Sequence, residues 1–189
     1  MITLRRLDKA LSTVELALSL LAAAVLFTIM WIVASDVAMR YLFNRPWGWS
    51  YDFISLYLIV ALFFLALSRT FAVNGHISVD LLHHALSPRA RRWCELVICV
   101  VSAALFMLIT KAGAERAWDS YLADDVLAGS FAWPTWMSVM FVPIGAGLLS
   151  LRLVLSGLCH AYTLATGQAI IPLPAIAGSP AAIEQRSFE

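Results

Sequence analysis

Four long runs without charged residues constrain this chain more than any other feature of its sequence. The first and fourth runs, residues 16–35 and 126–151, have 20 and 26 residues, and about 20 apolar residues let a helix cross the hydrocarbon core of a bilayer. The second and third runs, residues 53–68 and 96–110, reach that length when each is extended by a turn into its polar flanks. The sequence therefore predicts an all-α integral membrane protein with four transmembrane helices, because lipid leaves the backbone of such a segment no other hydrogen-bond partner.

The flanking polar residues set approximate bounds for the four spans, at residues 14–36, 50–73, 93–114 and 133–157. We expect residues 1–163 to form one transmembrane domain. Residues 164–189, with three prolines and many small residues, are expected to form a mobile tail because they cannot build a packed core. The composition supports a membrane location, since 61% of residues are hydrophobic and 13% are charged, and the net charge of +1 gives no reason to expect nucleic-acid binding.

Lysine and arginine residues are unequally divided between the two sides of the predicted bundle. Nine lie on the side of the N terminus and four on the other side, and cytoplasmic loops are the ones enriched in these residues. Both termini are therefore predicted to be cytoplasmic, and the first run, too long for a signal peptide, is interpreted as a retained anchor. Six of the seven tryptophans would anchor the outer rim, namely Trp31, Trp47, Trp49, Trp118, Trp133 and Trp136.

Two connections carry predictions of their own. Between the second and third spans, a short helix in the inner interface, ended by Pro88, is predicted from the helical spacing of Ile77, Leu81, Leu82 and Leu86. After the third span, residues 111–125 are rich in helix formers and place Lys111 four residues before Glu115. The third helix is therefore expected to continue out of the membrane for several turns.

Motifs that carry chemistry are missing from the sequence. It contains no Ser-His-Asp set, phosphate loop, HExxH or cysteine pair with zinc spacing, so we predict neither enzyme activity nor a bound cofactor or metal. A haem-binding anchor would need histidines that face each other within helices, whereas His76, His83 and His84 fall in the inner loop and His160 just beyond helix four. An anchor or assembly subunit of another membrane complex, including a redox complex, stays open as an alternative.

Charged residues crowd the two margins of the second span. Arg40, Arg45 and Asp52 precede it, and Arg69 and His76 follow it. Each arginine would serve equally well as an interfacial anchor, and Asp52 as a cap near the positive end of the helix dipole. Because the charges stay at the margins, no ion path is predicted through this chain alone. Their concentration with aromatic residues favours a surface that meets a partner.

The string RYLFNRPWGWSYDF, followed by one apolar helix, an arginine and NGHISVDLL, resembles the small membrane subunit of tripartite ATP-independent periplasmic (TRAP) transporters. This DctQ/SiaQ-like family includes the C4-dicarboxylate and sialic acid systems. The resemblance extends through the basic residues 87–92 and the entry to helix four at Trp133 and Pro134, and it ends near Leu158. The family often carries two adjacent acids after the tryptophan, whereas here Tyr51 stands before Asp52.

The resemblance implies a supporting subunit. In such systems, in the bacterial inner membrane, a large multi-span subunit carries an organic acid and sodium ions by an elevator movement, and a periplasmic receptor delivers the substrate. The small subunit broadens the fixed scaffold. By analogy, the face toward the large subunit or the lipid boundary is expected to include Arg40, Trp49, Asp52, Arg69 and His76. Docking of the receptor is expected to involve Asp119, Asp124 and Asp125.

A fixed scaffold must resist tilting while its neighbour moves. The belt of outer tryptophans would set its depth. Close packing between its helices would be possible at the small residues Ala22, Ala23, Ala24, Gly145 and Gly147.

Overall fold

The structure, a computed structural model, describes residues 2–76, 86–127 and 132–167. Within these residues, four helices are long and apolar enough to cross a membrane. They are α1 (Ile2–Phe43), α2 (Ser50–Ala72), α3 (Pro88–Leu122) and α4 (Thr135–Thr166). This finding confirms the prediction of a helical protein with four helices of spanning length.

The helices pack in the spatial order α1, α2, α4, α3. α1 contacts α2, α2 contacts α4, and α4 contacts α3, whereas α1 meets α4 only over a short stretch. The central helices α2 and α4 bury 28% and 33% of the residues in their most apolar stretches, and the edge helices bury 11% each. The four helices thus form a row with two broad faces. The helix axes run between two ends of the bundle. The end that holds the N terminus is called the N-terminal end below, and the other is called the opposite end.

Small side chains and glycines bring neighbouring helices close together. Ala22 of α1 packs with Ala61 and Leu65 of α2 in one buried cluster. A Cβ atom added to Gly145 of α4 would lie only 2.1 Å from the carbonyl oxygen of Phe64 in α2, so the two backbones are in direct contact there. The predicted role of Ala22 and Gly145 in close packing is confirmed.

The other small residues predicted to pack closely differ from one another. A Cβ atom added to Gly147 would lie 3.4 Å from Cγ2 of Thr110 in α3, an ordinary contact distance. Ala23 and Ala24 are exposed on α1, because one face of this edge helix is turned away from the row. Gly147 therefore faces α3, whereas Ala23 and Ala24 do not contribute to the core.

Three helices end at an asparagine or aspartate with positive φ. These residues are Asn44 (φ 53°), Asn74 (φ 54°) and Asp124 (φ 51°), and Asn and Asp are the side chains that best tolerate this left-handed conformation. After Asn74 the Gly75 N–H donates to the carbonyl of Thr70 at 2.8 Å, the geometry of a Schellman turn. α1 therefore extends seven residues beyond its predicted end at residue 36 and brings Arg40 into its last turn.

α3 is longer than its predicted span in both directions. It begins at Pro88, whose missing N–H costs nothing in the first turn, and the Ser87 hydroxyl accepts a hydrogen bond from the N–H of Ala90 at 3.3 Å. The predicted interfacial helix lies mainly in residues 77–85, outside the described residues. At its other end α3 continues to Leu122, which confirms the predicted extension, and the Lys111 ammonium lies 3.8 Å from the Glu115 carboxylate.

Two irregularities interrupt the central helices. Residues Ile54–Leu58 of α2 form a π-helical segment, in which the Ile59 N–H donates to the carbonyl of Ile54, five residues earlier. In α4 the regular helix breaks at Met140. Pro143, which has no N–H to donate to the preceding turn, accounts for this break.

A small hairpin connects α3 to α4. Strand β1 (Val126–Leu127) pairs antiparallel with strand β2 (Trp133–Pro134). This pairing was not predicted, because a two-residue ladder has no readable sequence pattern. The hairpin sets the end of α3 beside the start of α4. At the C-terminal side, α4 ends at Thr166 and Gly167 follows with φ 73°. Most of the predicted tail lies outside the described residues, so the division into domain and tail stays a prediction.

Candidate partner-binding surface

The residues predicted to form one partner-binding face lie in two groups. Arg40, Trp49 and Asp52 are at the opposite end of the bundle, whereas Arg69 and His76 are at its N-terminal end. About 20 residues of α2 separate the groups, which at about 1.5 Å per residue is close to 30 Å. The sequence already placed the two groups at opposite margins of the second span, and the structure agrees with that placement. Only a surface that runs the length of α2 would include all five residues.

Asp36 organises the connection between α1 and α2. One of its carboxylate oxygens accepts a hydrogen bond from the backbone N–H of Trp47 at 2.7 Å, and the other accepts one from the Arg40 guanidinium at 3.1 Å. The side chain of Asp36 is 13% exposed and that of Arg40 is 61% exposed. Asp36 was not among the predicted site residues, because in the sequence it only borders the first charge-free run. The signal was its position four residues before Arg40, a favourable spacing on a helix.

An aromatic cluster lies next to this connection. It is defined by Trp47, Trp49, Phe53, Tyr57 and Trp133. The rings of Trp47 and Trp49 stack with centroids 5.4 Å apart, and Phe53 stacks on Trp133 at 5.1 Å. Such pairs each contribute about 0.5–1.5 kcal/mol beyond their buried area. The cluster therefore ties the α1–α2 connection and the start of α2 to the hairpin before α4.

Two hydrogen bonds join the π-helical segment of α2 to the start of α4. The Tyr57 hydroxyl donates to the carbonyl of Pro134 at 2.5 Å, and the Ser138 hydroxyl donates to the carbonyl of Leu56. π-Helical turns leave backbone carbonyls outside the regular ladder and recur at functional sites. Here the looser turn coincides with cross-links between the two central helices, which fix their relative position at this end.

Asp52 lies in the first turn of α2 and does not cap it. The N-cap position belongs to Trp49, and no side chain caps this end by a hydrogen bond. The half-buried Asp52 still lies near the positive end of the helix dipole, which favours its carboxylate. Tyr51, which directly precedes Asp52, is 78% exposed. It extends the aromatic surface at this rim.

Arg69 and His76 flank the end of α2 at the N-terminal end. Arg69 lies in the last turn of α2, where a positive charge is favoured by the helix dipole. His76 follows the Schellman turn and is exposed, and its ring centroid lies 6.4 Å from that of Phe71. His160 lies within α4 and is buried, so its prediction just beyond helix four is wrong because α4 continues to Thr166. Within the described ranges, no group of three or more metal-binding side chains could hold an ion.

An ionic cluster lies at the N-terminal end of the bundle. It is defined by Asp8, Glu15, Ser68 and Arg152. Glu15 is completely buried, and its carboxylate accepts a hydrogen bond from the Ser68 hydroxyl at 2.7 Å. The Arg152 Nε lies 3.7 Å from the same carboxylate oxygen, and its Nη1 donates to Asp8 at 2.7 Å. This cluster was not predicted, because in the sequence Glu15 and Arg152 only border the first and fourth charge-free runs. Their placement at the same end of two spans was the available signal.

The acids predicted to dock a receptor lie at the opposite end. Asp119 and Asp124 are exposed, in the last turn of α3 and directly after it, and Asp125 is partly buried. The carbonyl of Asp125 accepts a hydrogen bond from the Thr135 N–H at 2.9 Å. Acidic side chains are disfavoured at the negative end of a helix by roughly 0.3–1 kcal/mol each. Helix stability therefore does not explain Asp119.

Comparison with protein-family models identifies a family. Residues 29–162 match the model described as "Tripartite ATP-independent periplasmic transporters, DctQ component". The matched region covers more than two thirds of the chain, includes the aromatic cluster and Arg152, and begins after Asp8 and Glu15. Comparisons with curated proteins and with solved structures found no match.

Proposed function

This chain belongs to the family of DctQ components of tripartite ATP-independent periplasmic transporters, and from that premise we propose that it is a fixed scaffold for the large membrane subunit. The family is one of transporter components and not of enzymes. The scaffold would act in sodium-coupled, receptor-dependent uptake of an organic acid across the bacterial inner membrane. Its partners would be the large subunit, a periplasmic substrate-binding protein and the surrounding lipids, with both termini in the cytoplasm.

The observation that best supports a fixed scaffold is that α1, α2 and α4 are tied together at both ends. At the opposite end the contacts are the hydrogen bond from the Trp47 backbone N–H to Asp36 of α1, the aromatic cluster and the bond from Tyr57 to the hairpin. At the N-terminal end the tie is the ionic cluster, which has members in all three helices. A unit restrained at both ends resists internal sliding, as a subunit must while a neighbour moves.

The exposed side of α2 is the best candidate for the contact with the large subunit. α2 lies between α1 and α4, so its exposed side chains lie on a broad face of the row. Ile59 and Phe63 are one turn apart and are 51% and 59% exposed. They continue the rim that contains Tyr51 and Asp52, which gives one surface along α2 toward Arg69.

Photo-crosslinking in membranes tests this assignment. A photoreactive phenylalanine analogue at Phe63 is expected to form an adduct with the co-expressed large subunit. The matched control is the same analogue at Leu108, which is 66% exposed on the edge helix α3. Adducts at Leu108 together with none at Phe63 would place the partner elsewhere and refute the proposed surface.

The transport role itself is tested by uptake. Cells that express the large subunit and the receptor should accumulate a labelled organic acid only when this chain is also present, and only with an inward sodium gradient. Equal uptake without this chain would contradict the scaffold role. Equal uptake without the gradient would contradict sodium coupling.

A further inference from the structure

The ionic cluster places a completely buried carboxylate within a row of membrane-type helices. Glu15 contributes this carboxylate from α1, Ser68 a hydroxyl from α2, and Arg152 a guanidinium from α4. A buried charge is very costly unless it is paired and hydrogen-bonded. Glu15 is therefore accommodated only where both neighbouring helices supply their groups.

Apolar packing alone defines the position of α1 poorly. α1 is an edge helix, and among its described side chains only three apolar ones are buried, Leu11, Ala22 and Ile32. Between helices in lipid there is no hydrophobic driving force, because lipid tails are as apolar as the side chains. The rotation of an apolar α1 would thus be set only by the packing of a few side chains on α2, including Ala22.

Glu15 restricts this rotation further. It lies four residues after Leu11 and seven before Ala22, so all three share the face of α1 that packs on α2. A rotation by one residue, about 100°, would carry the carboxylate away from Ser68 and Arg152. Asp8 holds the guanidinium of Arg152 from its more exposed side at 2.7 Å, which keeps that group in place.

We propose that Glu15, Ser68 and Arg152 form a latch that sets the rotation of α1 against α2 and α4, with Arg152 as the positioning residue. Glu15 lies before the region that matches the family model, so the match itself does not predict the latch. The inference concerns packing within the chain and does not depend on the transported substrate or on any partner.

Disulfide cross-linking of the full chain in membranes measures the rotation directly. In a background with the three native cysteines replaced by alanine, Ala22→Cys with Ala61→Cys reports the observed packing, since both residues lie in one buried cluster. Ala23→Cys with Ala61→Cys is the matched probe of a wrong rotation, because Ala23 is the same residue type on the exposed side. The readout is the cross-linking yield of the Ala22→Cys pair divided by that of the Ala23→Cys pair.

With the latch intact, the pair that includes Ala22 is expected to dominate. Glu15→Gln and Arg152→Met should each lower the ratio by about fivefold or more, because each breaks a buried charged contact. The control Glu115→Gln removes an exposed charge of the Lys111 pair and should leave the ratio unchanged.

A second variant keeps the test decisive if a single substitution prevents accumulation in the membrane. Glu15→Leu with Arg152→Met removes both charges together, a change that is often tolerated where loss of one partner is not. This double variant should accumulate and still show the lowered ratio. An unchanged ratio in any latch variant that accumulates would overturn the proposal.

Discussion

Gly145→Ala is expected to destabilise the chain more than the same substitution at Gly113 or Gly147, the two glycines at the α3–α4 contact. The new Cβ would lie 2.1 Å from the Phe64 carbonyl oxygen and 2.6 Å from its carbonyl carbon. Even a close C–H···O contact needs about 3.3 Å between carbon and oxygen, so α2 and α4 would have to separate by more than about 1 Å. Because both atoms belong to backbone, no change of side-chain rotamer relieves the clash.

The size of the effect follows from what the separation breaks. Inserting a methyl group into a well-packed site costs about 1–3 kcal/mol and occasionally more, and a backbone clash belongs at the upper end. For a chain of this length, about 3 kcal/mol corresponds to a fall in melting temperature of roughly 6–12 °C. The same separation would strain the hydrogen bonds that link Tyr57 and Ser138 across the two helices.

Two other glycines of the α3–α4 contact provide a graded control. A Cβ at Gly113 would lie 3.0 Å from a methyl group of Val142, and one at Gly147 would lie 3.4 Å from a methyl group of Thr110. Thermal unfolding of the purified chains can be followed by tryptophan fluorescence. The melting temperature should be lowest for Gly145→Ala, higher for Gly113→Ala and highest for Gly147→Ala. A melting temperature for Gly145→Ala equal to that of Gly147→Ala would refute the backbone contact.

Three further predictions concern the opposite end of the bundle. Asp36→Ala leaves the backbone N–H of Trp47 without its acceptor, at a cost of about 1–3 kcal/mol, and so loosens the α1–α2 connection. Less large subunit should then co-purify with this chain. Undiminished co-purification would argue against an ordered α1–α2 connection. Tyr57→Phe removes a single hydrogen bond worth about 0.5–1.5 kcal/mol and should lower the melting temperature slightly, with no loss if that bond contributes nothing. Asp119→Lys combined with Asp124→Asn, which keeps a side chain tolerated at positive φ, should weaken receptor-dependent uptake, and normal uptake at normal expression would exclude receptor docking there.

The helices themselves could be predicted from the sequence because lipid restricts a charge-free run to one conformation. Their ends could not, since a charge at the membrane surface does not stop a helix. α1 passes Asp36 and stops only at Asn44, where the backbone turns left-handed. The extension of α3 was predictable because its helix-forming residues continue without a break to Leu122.

The candidate sites were only partly predictable, for a different reason. Hydropathy gives the number of spans but not the order in which they pack, and the burial of Glu15 depends on Arg152 in another helix. Arg40 and Arg69 were predicted to belong to one partner-binding face although they lie at opposite margins of the second span, and the length of α2 separates them in the structure. The aromatic cluster was predicted as a set of separate anchors, and its joining of Trp49 to Trp133 through Phe53 needed the fold.

The order of the helices in the row has a consequence for biosynthesis. α3 contacts mainly α4 and has little direct contact with α2 among the described residues, yet α4 is the last of the four helices to leave the ribosome. Until α4 has inserted, the nascent chain consists of an α1–α2 pair and an α3 that lacks its main neighbour. The final helix therefore completes the subunit by entering between helices already in the membrane, and a chain truncated after α3 should be cleared by membrane quality control instead of accumulating as a partial scaffold.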